Sequence, residues 1–230
     1  MLRDRVIPAA VGLLVFGLAS AGCDRAPGPE SAPAPPSELS PRAAIQRLIA
    51  ARASATYGAL RELVVPGRGH EVVKTVMAVD EFLHANAALC DYVRSEFALG
   101  LAESIDQSDW GANLDIFSPR VELVDEQITG DTASVAFMVD GRLPLKHARL
   151  LRVEGRWCYD PGPGYDPQLP AAFERMARGL RQLLEDLKAG RVAADEIRAE
   201  PARLVEEVRV RLLPGIRMLP IASRPAAGSD

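Results

Sequence analysis

Hydrophobic residues recur at helical spacing in the first part of the chain, with polar residues between them. Ser40 followed by Pro41 is typical of a helix start, because serine caps free backbone N–H groups and proline fits the first helical position. A first helix is predicted from there, with Gly58 as a weak point; its apolar positions are Ile45, Leu48, Ile49, Leu60 and Leu63. A second is predicted from Glu71 to about Leu101, with one apolar stripe that places Cys90 towards a core.

The period of the pattern changes to two between residues 121 and 159, which predicts four strands. The turn sequences "TGD", "DG" and "EG" separate them at 129–131, 140–141 and 154–155. Connections this short indicate an antiparallel meander. Helical spacing then returns in two segments, Phe173 to Leu187 and Pro201 to Leu212. The predicted class is α+β: N-terminal helices on a curved four-stranded antiparallel sheet, followed by a C-terminal helical lobe.

The N-terminus has the layout of a secretory signal peptide over residues 1–22. Two arginines precede an apolar run over 6–19, which is shorter than the roughly 20 residues of a transmembrane helix. The small residues before Cys23 resemble the bacterial lipoprotein signal, although Ser20 stands where that signal usually has leucine. The resemblance implies cleavage before Cys23 and acylation of this residue by fatty acids such as palmitate. The alternative is a plain secretory peptide with a coincidental cysteine.

Composition divides the rest of the chain into four parts. Residues 23–39 are expected to be a lipidated cysteine with a Pro/Ala-rich tether, since they contain almost no bulky apolar residue. Residues 40–162 form the predicted α+β domain and 163–221 the helical lobe. Residues 222–230 are expected to be a disordered tail. Lipidation places the protein in a bacterial cell envelope, anchored to a membrane and facing the periplasm or the exterior.

The segments "VELVDEQITGDTASVAFMVDG" and "LLRVEGRWCYD", which follow two predicted helices, resemble the NTF2-like superfamily, in particular its small bacterial lipoproteins. The resemblance covers about residues 40–162. It implies a cone in which a bent sheet wraps a long helix and leaves a pocket at the open end. The helices after residue 162 lie outside that pattern.

Charge and motif content exclude several functions. The net charge is −4 and the two signs interleave, which argues against a nucleic-acid partner. The sequence "GPG" at 162–164 lacks the lysine of a phosphate-binding loop, and no cofactor is expected. Glu81 and His84 have the spacing of a metal half-site, but no second pair accompanies them, and His70 and His147 lie on other elements. We therefore expect no metal.

Catalytic candidates come only from the resemblance. Enzymes of the NTF2-like superfamily place an acid/base carboxylate or histidine and a tyrosine inside the cone, and Tyr57, Asp80 and His84 are the polar helix residues able to approach it. The alternative is that they are solvated helix-face residues. Cys90 and Cys158 either form a disulfide in an oxidising compartment or remain buried thiols.

The sequence specifies no reaction. The preferred interpretation is an envelope lipoprotein with a non-catalytic role, either binding a small apolar ligand in the cone or binding an envelope protein partner. An isomerase- or dehydratase-type enzyme using Asp80 or His84 as base is the alternative, and a structural subunit of an envelope assembly is a third.

Overall fold

The computed structural model describes residues 39–112, 115–118, 120–162 and 166–219, which belong to one compact unit. The predictions for the signal peptide (1–22), for Cys23 and its tether as far as residue 38, and for the tail (222–230) lie outside the described residues.

In the sequence, helices both precede and follow the strands of the sheet. The helices are α1 (Pro41–Ala53), α2 (Tyr57–Glu62), α3 (Gly69–Glu96), α4 (Leu99–Ile105), α5 (Asp109–Ala112), α6 (Leu169–Lys188), α7 (Ala194–Ala199) and α8 (Ala202–Ile216). A single 3-10 turn spans Asp115–Phe117. The strands are β1 (Val121–Thr129), β2 (Thr132–Val139), β3 (Arg142–Val153) and β4 (Arg156–Asp160).

Helix α1 begins as the sequence predicts. The Ser40 hydroxyl accepts a hydrogen bond from the Ala43 amide at 3.2 Å, and Pro41 takes the first helical position. The single helix expected as far as Leu63 is divided, because Ala55 adopts a positive φ of 53° between α1 and α2. The second predicted helix is also interrupted, here because Ala98 is extended between α3 and α4.

The four strands form one open antiparallel sheet in the order β1-β2-β3-β4, which confirms the predicted meander. At the β2–β3 turn Asp140 and Gly141 both have positive φ, 58° and 64°, as a tight two-residue hairpin requires. Leu143 and Leu145, apolar residues at the start of β3, are both exposed.

Two hydrophobic clusters share the long helix α3. The first fills the space between the sheet and α1, α2 and the start of α3, and its least exposed members include Ile45, Leu48, Leu60, Val135, Phe137 and Leu150. The second joins the rest of α3 to α4, α6, α7 and α8. Phe82 on α3 meets Phe173 on α6 edge to face, with ring centroids 5.6 Å apart. Helix α6 therefore packs on α3, and α8 packs on α6.

Helices α6 and α8 cross at close range because glycines line the contact. A Cβ added to Gly179 would lie 2.5 Å from the Arg211 carbonyl oxygen, and one added to Gly215 would lie 2.6 Å from that of Ala172. The Asp186 carboxylate on α6 also links to α8: it accepts hydrogen bonds from Arg211 Nη2 of α8 at 2.8 Å and from Arg191 Nε, which follows α6, at 2.7 Å. These bonds, the Arg191 bond foremost, lower the Asp186 pKa.

Candidate functional site

Two of the three predicted catalytic candidates meet in a polar triad of Arg52, Tyr57 and Asp80. Arg52 ends α1, Tyr57 begins α2, and Asp80 lies on α3, so the α1–α2 break brings the first two over the third. Arg52 Nε and Nη2 both donate to Asp80 Oδ1, at 3.1 and 2.6 Å. The Tyr57 hydroxyl donates to Asp80 Oδ2 at 3.1 Å. Both carboxylate oxygens therefore have partners.

The triad is largely shielded from water. The Arg52 side chain is 8% exposed and that of Asp80 17%. Burial raises the pKa of Tyr57, and the negative charge of Asp80 and the hydrogen bond to it act in the same direction. Arg52 Nη1 is buried with no hydrogen-bond partner. A carboxylate whose two oxygens both accept hydrogen bonds from a guanidinium and a phenol is poorly placed to accept a substrate proton.

Sequence reasoning missed Arg52. The available signal was that a carboxylate beside the apolar stripe of α3 needs a cation, and Arg52 lies on the same predicted helix as Tyr57. Nothing in the sequence distinguishes Arg52 from the other basic residues of that region. The contact forms between residues 28 positions apart.

The third catalytic candidate, His84, is exposed and is not part of the triad. Glu81 is also exposed, and its carboxylate accepts a hydrogen bond from Arg181 Nη2 on α6 at 3.1 Å. His70 is exposed on α3, and His147 lies on β3 with its Nδ1 3.2 Å from the Ser134 hydroxyl. Within the described part of the chain, His, Cys, Asp and Glu form no group of three able to hold a metal ion.

The two remaining cysteines are buried in different clusters, Cys90 in the helical one and Cys158 in the sheet-facing one, and both thiols are free in this structure. Burial raises the Cys90 pKa to about 11, with the nearby Asp106 charge adding to the effect. Burial also raises the Cys158 pKa. A thiol with a raised pKa holds little thiolate at neutral pH, so neither cysteine is an activated nucleophile.

The described surface includes several open concavities. One, about 710 Å³, is a groove between α3 and α6; both signs of charge line it, together with Met77 and Ala78 (Lys74, Glu81, Glu174, Arg178, Arg181, Gln182, Glu185). The second, about 500 Å³, lies at the β3–β4 end of the sheet between Ile116, Phe137, Lys146 and Tyr159. The third, about 310 Å³, surrounds Pro66 and Gly67. The triad residues line none of them.

The space between helices and sheet is filled by the protein itself. Val135, Phe137 and Leu150 on the sheet are at most 2% exposed, and Ile45 and Leu48 on α1 are fully buried against them. The resemblance to the NTF2-like superfamily implies a pocket between helices and sheet; at these five residues that space is packed core.

Comparison with known proteins returns no match among family models, curated proteins or solved structures. The fold and site define a mixed α+β protein with an open four-stranded antiparallel sheet and an internally paired Arg-Asp-Tyr triad. Across the described helices, none combines the length and the apolar content that a bilayer crossing requires.

Proposed function

We propose that this chain is a lipid-anchored protein of the bacterial cell envelope whose folded domain is a non-catalytic protein-interaction module. The sequence around Cys23, which resembles a bacterial lipoprotein signal, supports the anchor. We also propose that residues 40–162 have an NTF2-like arrangement; the helices that precede the meander and pack on one of its faces support this.

The observation that carries the interaction role is the packed interior. A small apolar ligand needs an enclosed apolar cavity, but Val135 and Leu150 on the sheet face are buried against helix side chains. The concavity of about 500 Å³ at the β3–β4 end of that face is open, and Lys146 and Asp160 are among its lining residues. An isomerase or dehydratase needs a base in reach of substrate, but Asp80 already shares both oxygens with Arg52 and Tyr57. Neither competing role has the space that it requires at these residues.

The α3–α6 groove is the surface best suited to a protein partner. It is open and about 710 Å³ in volume, and it alternates acidic and basic side chains around Met77, which is 41% exposed. An apolar centre with a charged rim is the usual composition of a protein interface. Glu81 and Arg181 form an ion pair across the groove at 3.1 Å, and both side chains are about half exposed. Because an exposed ion pair contributes little free energy, each residue can leave it and pair with a charged group of a partner at small cost.

The anchor is tested by metabolic labelling with a palmitate analogue in a bacterial host. Wild-type protein incorporates the label and sediments with membranes, whereas Cys23→Ser does neither. The Cys158→Ser variant is the matched control, since Cys158 is buried and offers no acylation site. Equal labelling of wild type and Cys23→Ser would refute lipidation at this residue.

The module is tested by placing a photo-crosslinking amino acid at Met77 in living cells. A control probe at Leu99, which is 56% exposed on α4 and outside the groove, reports random encounters. We expect one recurrent crosslinked species from position 77, weakened by Arg178→Glu. The groove is not the interface if both positions give the same products or if charge reversal has no effect.

A further inference from the structure

The tip of the β2–β3 hairpin projects large apolar side chains into solvent. Leu143 is 78% exposed, the highest value among the large hydrophobic residues that the structure describes, and Leu145 is 39% exposed. They flank Pro144 on β3, directly after the tight turn at Asp140 and Gly141. Exposed apolar side chains grouped on one surface are typical of a site that contacts a membrane or another protein.

Strand β3 surrounds these leucines with positive charge only. From Gly141 to Val153 the chain carries four basic residues and no acidic one; they are Arg142, Lys146, Arg149 and Arg152. Asp140 pairs with Arg120 at 2.6 Å, and Asp160 pairs with Arg149 at 3.3 Å, so that one of the four basic residues is itself neutralised. Glu122, which pairs with Met138 of β2, is exposed on β1. Glu154 lies in the turn at the other end of β3, away from the hairpin tip.

The described chain begins beside the edge strand β1. Arg42, at the start of α1, donates from Nη2 to the Leu123 carbonyl at 2.7 Å and from its backbone amide to the Glu126 carboxylate at 2.9 Å. Leu123 of β1 pairs with Phe137 of β2. Two residues further along β2, Val139 pairs with Arg142 at the start of β3. Leu39, at the entry point, is itself 43% exposed.

We infer that the β2–β3 hairpin is a membrane-contact element that binds an anionic phospholipid surface. Leu143 and Leu145 enter the headgroup region, and Arg142 and Lys146 contact lipid phosphates. This inference rests on the proposed lipid anchor at Cys23. A fully extended segment of the length of 24–38 spans at most roughly 50–54 Å, so an anchored domain stays within that distance of the bilayer and binds its surface at high effective concentration.

The test attaches an environment-sensitive fluorophore to a cysteine placed at the hairpin. The protein is the whole chain carrying Leu143→Cys, purified from the envelope of a bacterial host. Cys90 and Cys158 are 6% and 4% exposed and escape labelling in the folded protein, and Cys23 is acylated if the anchor exists. The matched control carries Ile128→Cys, which is 54% exposed near the β1–β2 turn at the opposite end of the sheet.

Both labelled proteins are reconstituted into vesicles of phosphatidylcholine alone or mixed with phosphatidylglycerol. We expect the emission of the probe at 143 to rise and shift to the blue in the anionic vesicles, while the probe at 128 stays in water. Arg142→Gln and Lys146→Gln should each weaken the response about fivefold, because a basic residue near an anionic surface contributes about 1 kcal/mol. High salt should act in the same direction.

This design tests the lipid anchor and the membrane contact of the hairpin separately. The intact mass of the purified protein reports acylation of Cys23, whatever the fluorophore does. An acylated protein whose probe at 143 stays in water, or responds equally in both kinds of vesicle, refutes the hairpin contact and leaves the anchor standing. If the mass shows no acyl group, labelling follows in the Cys23→Ser background and the protein is added to preformed vesicles. Selective insertion of position 143 there supports the hairpin alone, and its absence refutes it.

Discussion

The Arg52–Asp80 ion pair offers the sharpest test of whether the polar triad is structural. Replacing Asp80 by asparagine keeps an amide oxygen that can accept hydrogen bonds but removes the negative charge. Arg52, only 8% exposed and with Nη1 already unpartnered, is then left as a buried charge without a counter-charge on Asp80. Breaking a buried pair in this way typically costs 3–5 kcal/mol. Because Asp80 is 17% exposed, we expect a loss of about 3 kcal/mol, at the lower end of that range.

The double variant Arg52→Met with Asp80→Leu should behave differently. It removes both charges and replaces them with apolar side chains of similar size, so its stability should lie within about 1 kcal/mol of wild type. The free energy of unfolding is measured by urea denaturation followed by far-UV circular dichroism. With the single variants Arg52→Met and Asp80→Leu completing the double-mutant cycle, the coupling between the two residues should exceed about 2 kcal/mol.

Glu81→Gln is the matched control, because Glu81 is the next residue on α3 and its ion pair with Arg181 is about half exposed. It should cost less than about 1 kcal/mol. The reasoning is refuted if Asp80→Asn is as mild as Glu81→Gln, or if the double variant is as unstable as Asp80→Asn. The first outcome would mean that solvent screens the ion pair. The second would mean that the site requires both charges.

The remaining predictions concern helix packing, thiols and acid stability. Gly179→Ala should lower the free energy of unfolding by about 1–2 kcal/mol, since its Cβ would lie 2.5 Å from a backbone oxygen of α8, whereas Gly100→Ala has open space and should raise it by about 0.5–1 kcal/mol. Both Cys90 and Cys158 should resist a thiol reagent in the native state and react fully in urea without reductant. Asp186 has a lowered pKa, so its contribution to stability should be complete above its ordinary pKa of 3.8 and be lost as the pH falls below that value; Asp186→Asn should lack this loss.

Each of these has a clear contrary result. Equal effects of the two glycine substitutions would contradict the close contact of α6 and α8. Two missing thiols in urea would mean a disulfide, and reaction of either thiol in the native state would contradict its burial. An acid unfolding curve that is unchanged by Asp186→Asn would show that the carboxylate has no favourable partners in the folded protein.

The sheet could be predicted from sequence because its determinants are local. Alternation identifies each strand, and the turn residues fix the register; Asp140 and Gly141 with positive φ illustrate this. The exposure of Leu143 could not be predicted in the same way. Alternation shows which residues share a face, but whether helices cover that face depends on where they end, and the β2–β3 tip carries exposed apolar residues.

The candidate site shows the same limit. Asp80 and His84 are four residues apart on α3, so sequence treats them alike, but only Asp80 has α1 and α2 residues against it. The sheet-facing cluster includes α3 residues up to Val76, and from Ala78 onward the buried residues of α3 belong to the helical cluster. Helical periodicity identifies a face and does not identify the neighbour. The partner Arg52 was missed for this reason.

The most direct test of the account is the intact mass of the mature protein purified gently from membranes. We predict a chain that begins at Cys23 and carries a diacylglyceryl group with additional acylation, and that releases no tightly bound small molecule. A membrane-free protein with an unmodified N-terminus would contradict the proposed anchor. A stoichiometric apolar ligand that persists in the native mass spectrum would contradict the packed interior on which the interaction role depends.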